Sequence, residues 1–173
     1  METRDRKILF QGLVVDLEEM QVKIGEKGWH RFQVVRHRGG VGVLPLHDDG
    51  TVTLIRQPRP AIDAETLEIP AGRIDPGEEP LACGARELTE ETGLVAARMA
   101  SLGFIHPAAG YCDEKIHLFL ATGLTQREAH PEAYEDIQTV RMPLAEALRM
   151  AADGTLSDGK TLAALFRAAG DGI

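Results

Sequence analysis

The 173-residue chain predicts an α+β domain with a mixed sheet lying between helical layers. Two observations carry that reading. Seven β-rich runs surround only three helix-like segments. The composition, 43% hydrophobic and 27% charged, is that of one ordinary globular domain, long enough to bury a substantial core.

The strands are read from alternating or apolar β-rich stretches at residues 8–17, 31–37, 41–46, 51–57, 99–105, 116–121 and 137–142. Asp48-Asp49-Gly50 marks the turn between the third and fourth. The first helix covers residues 80–92. Pro80 suits its first turn, where a backbone N–H has no intrahelical partner anyway, and Gly93 stands where a helix C′ residue would. Helices also fit residues 144–152 and 158–169, the latter with Ser157 as N-cap. No internal repeat or low-complexity linker interrupts the chain.

The most informative stretch is residues 72–94, GRIDPGEEPLACGARELTEETGL. It fits the pattern G-x5-E-x7-R-E-U-x-E-E-x-G-U, with U apolar, at every specified position: Gly72, Glu78, Arg86, Glu87, Leu88, Glu90, Glu91, Gly93 and Leu94. At ordinary residue frequencies a chance match is rarer than roughly one in a million. On the helix, Glu87, Glu90 and Glu91 are spaced i, i+3, i+4 and share one face, while Leu81, Ala85 and Leu88 form a different face suited to burial. Converging carboxylates repel one another, and a hard divalent cation with oxygen ligands, Mg²⁺ or Mn²⁺, removes the repulsion. The plain alternative is a solvated acidic face; the accompanying Arg86, Glu78 and glycines weigh against it.

Other residues carry weaker signals. Arg56 and Arg59 flank Gln57-Pro58 at a strand end, and guanidinium groups bind phosphate bidentately; a surface ion pair is the alternative. Glu68 precedes Ile69-Pro70 and either joins a metal network or holds Arg59. Residues 125–137 form a polar, Pro-containing loop of the kind that carries function on a rigid scaffold. Cys83 and Cys112 imply no disulfide framework, and Cys112 reads as a free thiol rather than a nucleophile. His106, His117 and His130 show no metal spacing and read as structural or surface residues. The net charge of −8 argues against a nucleic-acid polymer as partner. No apolar run approaches the ~20 residues of a membrane span, and METRDRKILF lacks a signal-peptide core, so a cytoplasmic enzyme is expected.

The pattern at residues 72–94 resembles the Nudix hydrolases, which hydrolyse a nucleoside diphosphate linked to another group. The resemblance implies an α/β/α sandwich with residues 72–94 as its catalytic loop–helix–loop. It implies that Glu87, Glu90, Glu91 and the carbonyl of Ala71 hold the metal, and that Glu78 and Arg86 brace the loop on the helix, with Gly72 and Gly93 shaping its ends. It also extends to residues 54–72, 106–124 and 134–148. About 70 residues precede the motif, a layout similar to the ADP-ribose and nucleoside-diphosphate-sugar pyrophosphatases. In these an N-terminal antiparallel sheet is exchanged across a homodimer and helps bind the nucleoside. The expected division is therefore an exchanged strand region at residues 1–40 and a catalytic domain at 41–173.

The same resemblance implies hydrolysis to a nucleoside monophosphate and a sugar phosphate. Arg59 would contact the diphosphate or ribose, and Glu135 would join Glu87 and Glu91 in catalysis by activating water, with Glu132 and Asp136 as alternatives. Ala109 stands in AAGYCDE where related ADP-ribose enzymes have a proline, which leads us to expect a looser loop at residues 106–113 and a broader substrate range. Tyr111 lies near where dinucleoside polyphosphate hydrolases place a tyrosine, so such a substrate, or NADH, is the alternative. A catalytically silent sensor of nucleoside diphosphate sugars is a further one, disfavoured by the intact carboxylates.

Overall fold

A computed structural model describes residues 1–130 and 136–170. The chain forms two compact units, Met1–Gly39 with His106–Lys115, and Gly40–Ile105 with Ile116–Ile173. Among the described residues no helix is long and apolar enough to cross a membrane.

The first unit is a three-stranded antiparallel meander of β1 (Thr3–Gln11), β2 (Asp16–Lys23) and β3 (Trp29–Arg36). The single strand expected at residues 8–17 is in fact the end of β1, a turn and the start of β2. Gly12 donates its N–H to the carbonyl of Val15, and the chain reverses there. The run LVV is apolar enough to read as strand, but it forms the turn. Most of β2 escaped notice because Glu, Gln and Lys are depleted in strands. Its alternation is clear in three dimensions, with Glu18, Met20 and Val22 buried on one face.

Residues 106–115 belong to this unit and lie along β3. Val35 donates to the carbonyl of Tyr111 (2.8 Å), and Asp113 donates to that of Val35 (3.1 Å). Arg36 Nη1 and the His37 N–H both donate to the Asp113 carboxylate at 2.9 Å. His106 Nδ1 bonds the Glu114 carbonyl, and Ala108 accepts from Tyr111 and Cys112. These backbone bonds flank Ala109, where a looser loop is expected.

The second unit is built on a mixed four-stranded sheet in the order β7 (Ala71–Arg73), β4 (Gly40–Pro45), β9 (Ile116–Gln126), β8 (Leu94–Ile105). Only β4 and β9 run parallel. Strand β4 is buried throughout and β9 over its first half, because each face carries helices there. On one face Val41, Val43, Phe119 and Ala121 meet Cys83 and Leu88 of α1 (Pro80–Thr92). On the other, Leu44, Leu118 and Leu120 meet Ala147 of α2 (Leu144–Ala152) and Ala164 and Leu165 of α3 (Gly159–Gly170). The result is the α/β/α sandwich. A second antiparallel sheet sets β5 (Thr51–Arg59) between β10 (Gln138–Pro143) and β6 (Ala64–Glu68). Strands β6 and β7 were not anticipated. The first is largely polar, and the second has three residues, too short for any periodicity to register.

Two local expectations need correction. Leu81 is 49% exposed and Ala85 is exposed, so these two do not join Leu88 in the core. The helix instead buries Cys83, Gly84, Glu87, Leu88, Glu91 and Thr92. A Cβ at Gly84 would come within 3.0–3.1 Å of Val41, Val43 and Met99, so this glycine lets α1 lie close on the sheet. Asp158 rather than Ser157 caps α3, accepting from the Thr161 N–H at 3.0 Å.

Gly93 ends α1 in the left-handed region, at φ 71°, with its N–H on the Thr89 carbonyl at 2.8 Å. An added Cβ would also collide with the carbonyl of Arg127. Gly93→Ala should therefore destabilise the protein by about 2 kcal/mol, combining the αL penalty with the clash. Denaturant unfolding measures this directly; a loss under ~0.5 kcal/mol would refute it.

Candidate active site

The strand–turn–helix at residues 71–93 brings acidic side chains onto a backbone. Glu87 and Glu91 are only 9% and 3% exposed, so two of the three carboxylates lie on the buried side of α1, which excludes a merely solvated acidic face. Burying a carboxylate is costly unless it is hydrogen-bonded or paired. Glu91 Oε2 accepts the Ala71 N–H at 2.9 Å. Glu87 Oε1 accepts from Arg86 Nη1 at 2.7 Å. A Cβ on Gly72 would fall inside the Glu87 carboxylate, so glycine is required there by space. Glu90 is half-exposed and takes its own bond from Arg86 Nη1 at 3.0 Å.

Arg86 organises this cluster. Its Nε and Nη2 donate to the two oxygens of Glu78, both at 3.0 Å, a bidentate pair that joins loop to helix. Arg86 and the Asp75 N–H hold the Glu78 carboxyl down at about 2, and Glu78 in turn raises Arg86 above its ordinary value. Cys83 lies beneath, its thiol pushed up to about 12 by burial and by the charges of Glu78 and Glu87. It is an inert packing group rather than a nucleophile.

A second constellation stands beside the first. Arg59 donates Nε and Nη2 to the two oxygens of Glu68, at 2.7 and 2.6 Å. Glu68 mainly raises the Arg59 pKa, with Asp158 and Glu91 adding to the effect, which places Arg59 in the field of the carboxylate helix. Glu68 also accepts from Thr66 and from Lys160 of α3. Burial pushes its carboxyl up, but Arg59, Lys160 and Thr66 outweigh that and hold it at about 2. Of the two readings of Glu68, the geometry supplies the one in which it holds Arg59. Arg56 is not brought into this group. It is exposed and lies three residues from Arg59 along β5, hence on the other face. Lys160 and Thr161 were missed by sequence reasoning, because nothing local marks a lysine in a helix's first turn as buried. Gln57 was missed too. It is buried, and its Nε2 has no partner among the described residues.

Tyr111 is exposed and lies in the first unit. Glu135 and Glu132 lie outside the described residues, and Asp136 is exposed. His117 packs its ring 6.3 Å from that of Phe104, and the His130 N–H caps the carbonyl of Glu90 at 2.9 Å.

A family model described as the NUDIX domain matches residues 36–165, well over half the chain. The chain belongs to the Nudix family. Among curated relatives, it is 32% identical to the ADP-ribose pyrophosphatase of Bacillus subtilis (strain 168), over 95% of this chain and 90% of that one. It is 32% identical to the methanol dehydrogenase activator of Bacillus methanolicus, over 91% and 86%. The GDP-mannose pyrophosphatase of Citrobacter koseri is 30% identical, over 91% and 86%. A crystal structure of an ADP compounds hydrolase superposes with a TM-score of 0.84 at 22% identity, covering 99% of this chain and 95% of that one, and shares the fold. The protein is thus a Nudix pyrophosphatase, of a family generally dependent on a divalent cation.

Among the described residues no three His, Cys, Asp or Glu side chains close on one point. Arg86 occupies oxygens of Glu87 and Glu90, and the Ala71 N–H occupies one of Glu91. The donor set still fits a hard cation. It is all oxygen, and two of its carboxylates abut the Ala71–Gly72 backbone.

The Glu68 network has a pH signature. Its folded-state pKa of about 2 lies below the ordinary 4.5, so the stability it contributes is complete above pH 4.5 and is lost as pH falls toward 2. Unfolding free energy should fall steeply across that window. Glu68→Gln should flatten the fall while lowering stability at neutral pH, because Arg59 and Lys160 lose their partner. An unchanged acid slope in that variant would contradict the assignment.

Proposed function

We propose that this Nudix hydrolase cleaves the diphosphate bridge of ADP-ribose or of nucleoside diphosphate sugars, releasing a nucleoside monophosphate and a sugar phosphate. The observation that carries the reading is the pair of buried carboxylates, Glu87 and Glu91, set against the Ala71–Gly72 backbone with Arg59 in the same electrostatic neighbourhood. The ADP-ribose and GDP-mannose pyrophosphatases among the relatives support the substrate class.

In this reading Glu87, Glu90, Glu91 and the Ala71 carbonyl hold Mg²⁺, with Mn²⁺ as substitute. When bound, such a cation would neutralise charge on the diphosphate and supply Lewis-acid activation. Arg59 turns outward the guanidinium edge not used by Glu68 and binds a diphosphate oxygen. Arg86, anchored on Glu78, keeps Glu87 and Glu90 aimed at the loop. Glu135 takes the proton from water, with Glu132 and Asp136 the carboxylates to compare with it.

A phosphate-release screen across ADP-ribose, several nucleoside diphosphate sugars, NADH and dinucleoside polyphosphates tests the substrate class. ADP-ribose or a sugar nucleotide should lead. Glu91→Gln should lower kcat by at least ~10²-fold, and exhaustive chelation should abolish activity. Full activity in either case would overturn the reading.

Assembly is part of the proposal. Residues 1–40 act as the exchanged strand region of a C₂ homodimer, alongside the catalytic domain at 41–173. Strand β1 is an edge of its sheet, and Ile8, Phe10, Leu13, Val14 and Phe32 are exposed in that unit. Exposed apolar edges need covering. Sedimentation at micromolar concentration should give a dimer; an active monomer would refute it.

A further inference from the structure

The first turn of α3 contains no residue of the carboxylate motif, yet two of its side chains, braced by Asp158 before the helix, converge on the segment leading into that motif. Lys160 is 9% exposed and reaches from α3 to Glu68, across 92 residues of sequence. Its Nζ also donates to Asp158 at 3.0 Å. Thr161 donates its hydroxyl to Asp158 at 2.5 Å, and its oxygen accepts the Ile69 N–H at 2.8 Å. Glu68 and Ile69 are thus both fastened to α3, one through its side chain and one through its backbone.

The consequence falls on Arg59. Glu68 is buried and is the bidentate partner of Arg59. A buried carboxylate with one cation could swing to follow that cation. With Lys160 and Thr66 bonded to it as well, the carboxylate is fixed from a second direction. The Arg59 fork can therefore match it in one orientation only. Lysine suits the inner position because a compact ammonium with three donors can serve Glu68 and Asp158 together.

We infer that Lys160 is a positioning residue for substrate binding, acting through Glu68 to fix the guanidinium of Arg59 toward the diphosphate. The inference rests on the pyrophosphatase reading above. Arg59 contacts the substrate before and during reaction, so losing its orientation removes uniform binding and raises KM more than it lowers kcat.

The test is a double-mutant cycle of Lys160→Met and Arg59→Ala, assayed on the best substrate of the screen, with thermal unfolding as a check that each variant is folded. Lys160→Met should raise KM at least tenfold and leave kcat within about threefold. Added to Arg59→Ala, it should change KM by less than twofold, because the residue it acts through is gone. A role confined to stability would lower Tm and leave KM unmoved. A Lys160→Met KM within threefold of the unmodified enzyme, or a full tenfold effect persisting without Arg59, would overturn the inference. Should Lys160→Met not fold, Glu68→Gln carries the same comparison: a KM-dominated defect that vanishes on the Arg59→Ala background supports the relay, and an unmoved or additive KM overturns it. An unaltered KM in Arg59→Ala alone would strike the substrate role of Arg59 itself. A raised KM there with an unaltered one in Lys160→Met would strike only the relay.

Discussion

Everything at this site depends on how closely one helix lies on one sheet. Side chains at Gly72 and Gly84 would push α1 away from β7 and β4. Because the helix approaches so closely, the carboxylates of Glu87 and Glu91 are driven into contact with backbone instead of standing in water. The protein then has to compensate for buried negative charge. It does so with a backbone N–H from Ala71 and with the multiply bonded guanidinium of Arg86. A site of this kind is held ready under electrostatic tension, and the tension suits it to positive charge.

The same logic is repeated next door. Around Glu68, the cations Arg59 and Lys160 converge on one buried carboxylate, and Asp158 accepts from Lys160 as well, so the charges there balance. The two clusters lie within electrostatic reach, since Glu91 contributes to the charge state of Arg59. A bridging diphosphate, itself anionic but requiring cations, is complementary to an acidic cluster with a partly exposed guanidinium beside it. The mixed sheet makes the juxtaposition possible. One of its faces carries α1, the other carries α3, and the short strands β6 and β7 connect the two regions in sequence.

The three helices could be read from the sequence nearly to the residue, because first-turn, C′ and N-cap residues such as Pro80 and Gly93 are local signals. Strands β4, β5 and the buried first half of β9 were readable from their apolar, β-rich runs. What escaped reading lacks a local cause. Strand β7 exists because β4 offers it a ladder, and β2 because its Glu18, Met20 and Val22 find a buried face. The i, i+3, i+4 spacing of the glutamates did indicate a shared face, but not that the face was turned inward, and Leu81 misled by looking like the core. Gly72 was expected to shape one end of the loop–helix–loop, and what it makes room for is the Glu87 carboxylate. Lys160 could not be found by any local rule, since its partner lies 92 residues earlier.

That last pairing bears on what counts as the smallest portable piece of this enzyme. Residues 72–94 have the look of a cassette that could be moved onto another sheet of similar twist. Transplanted alone, the cassette would carry its charges and its own Glu78–Arg86 brace. It would leave behind the C-terminal helix whose lysine and threonine anchor the strand feeding into it. The catalytic segment is contiguous in sequence, but its foundation is not, and removing α3 would loosen a strand end that lies 92 residues earlier, just before the motif.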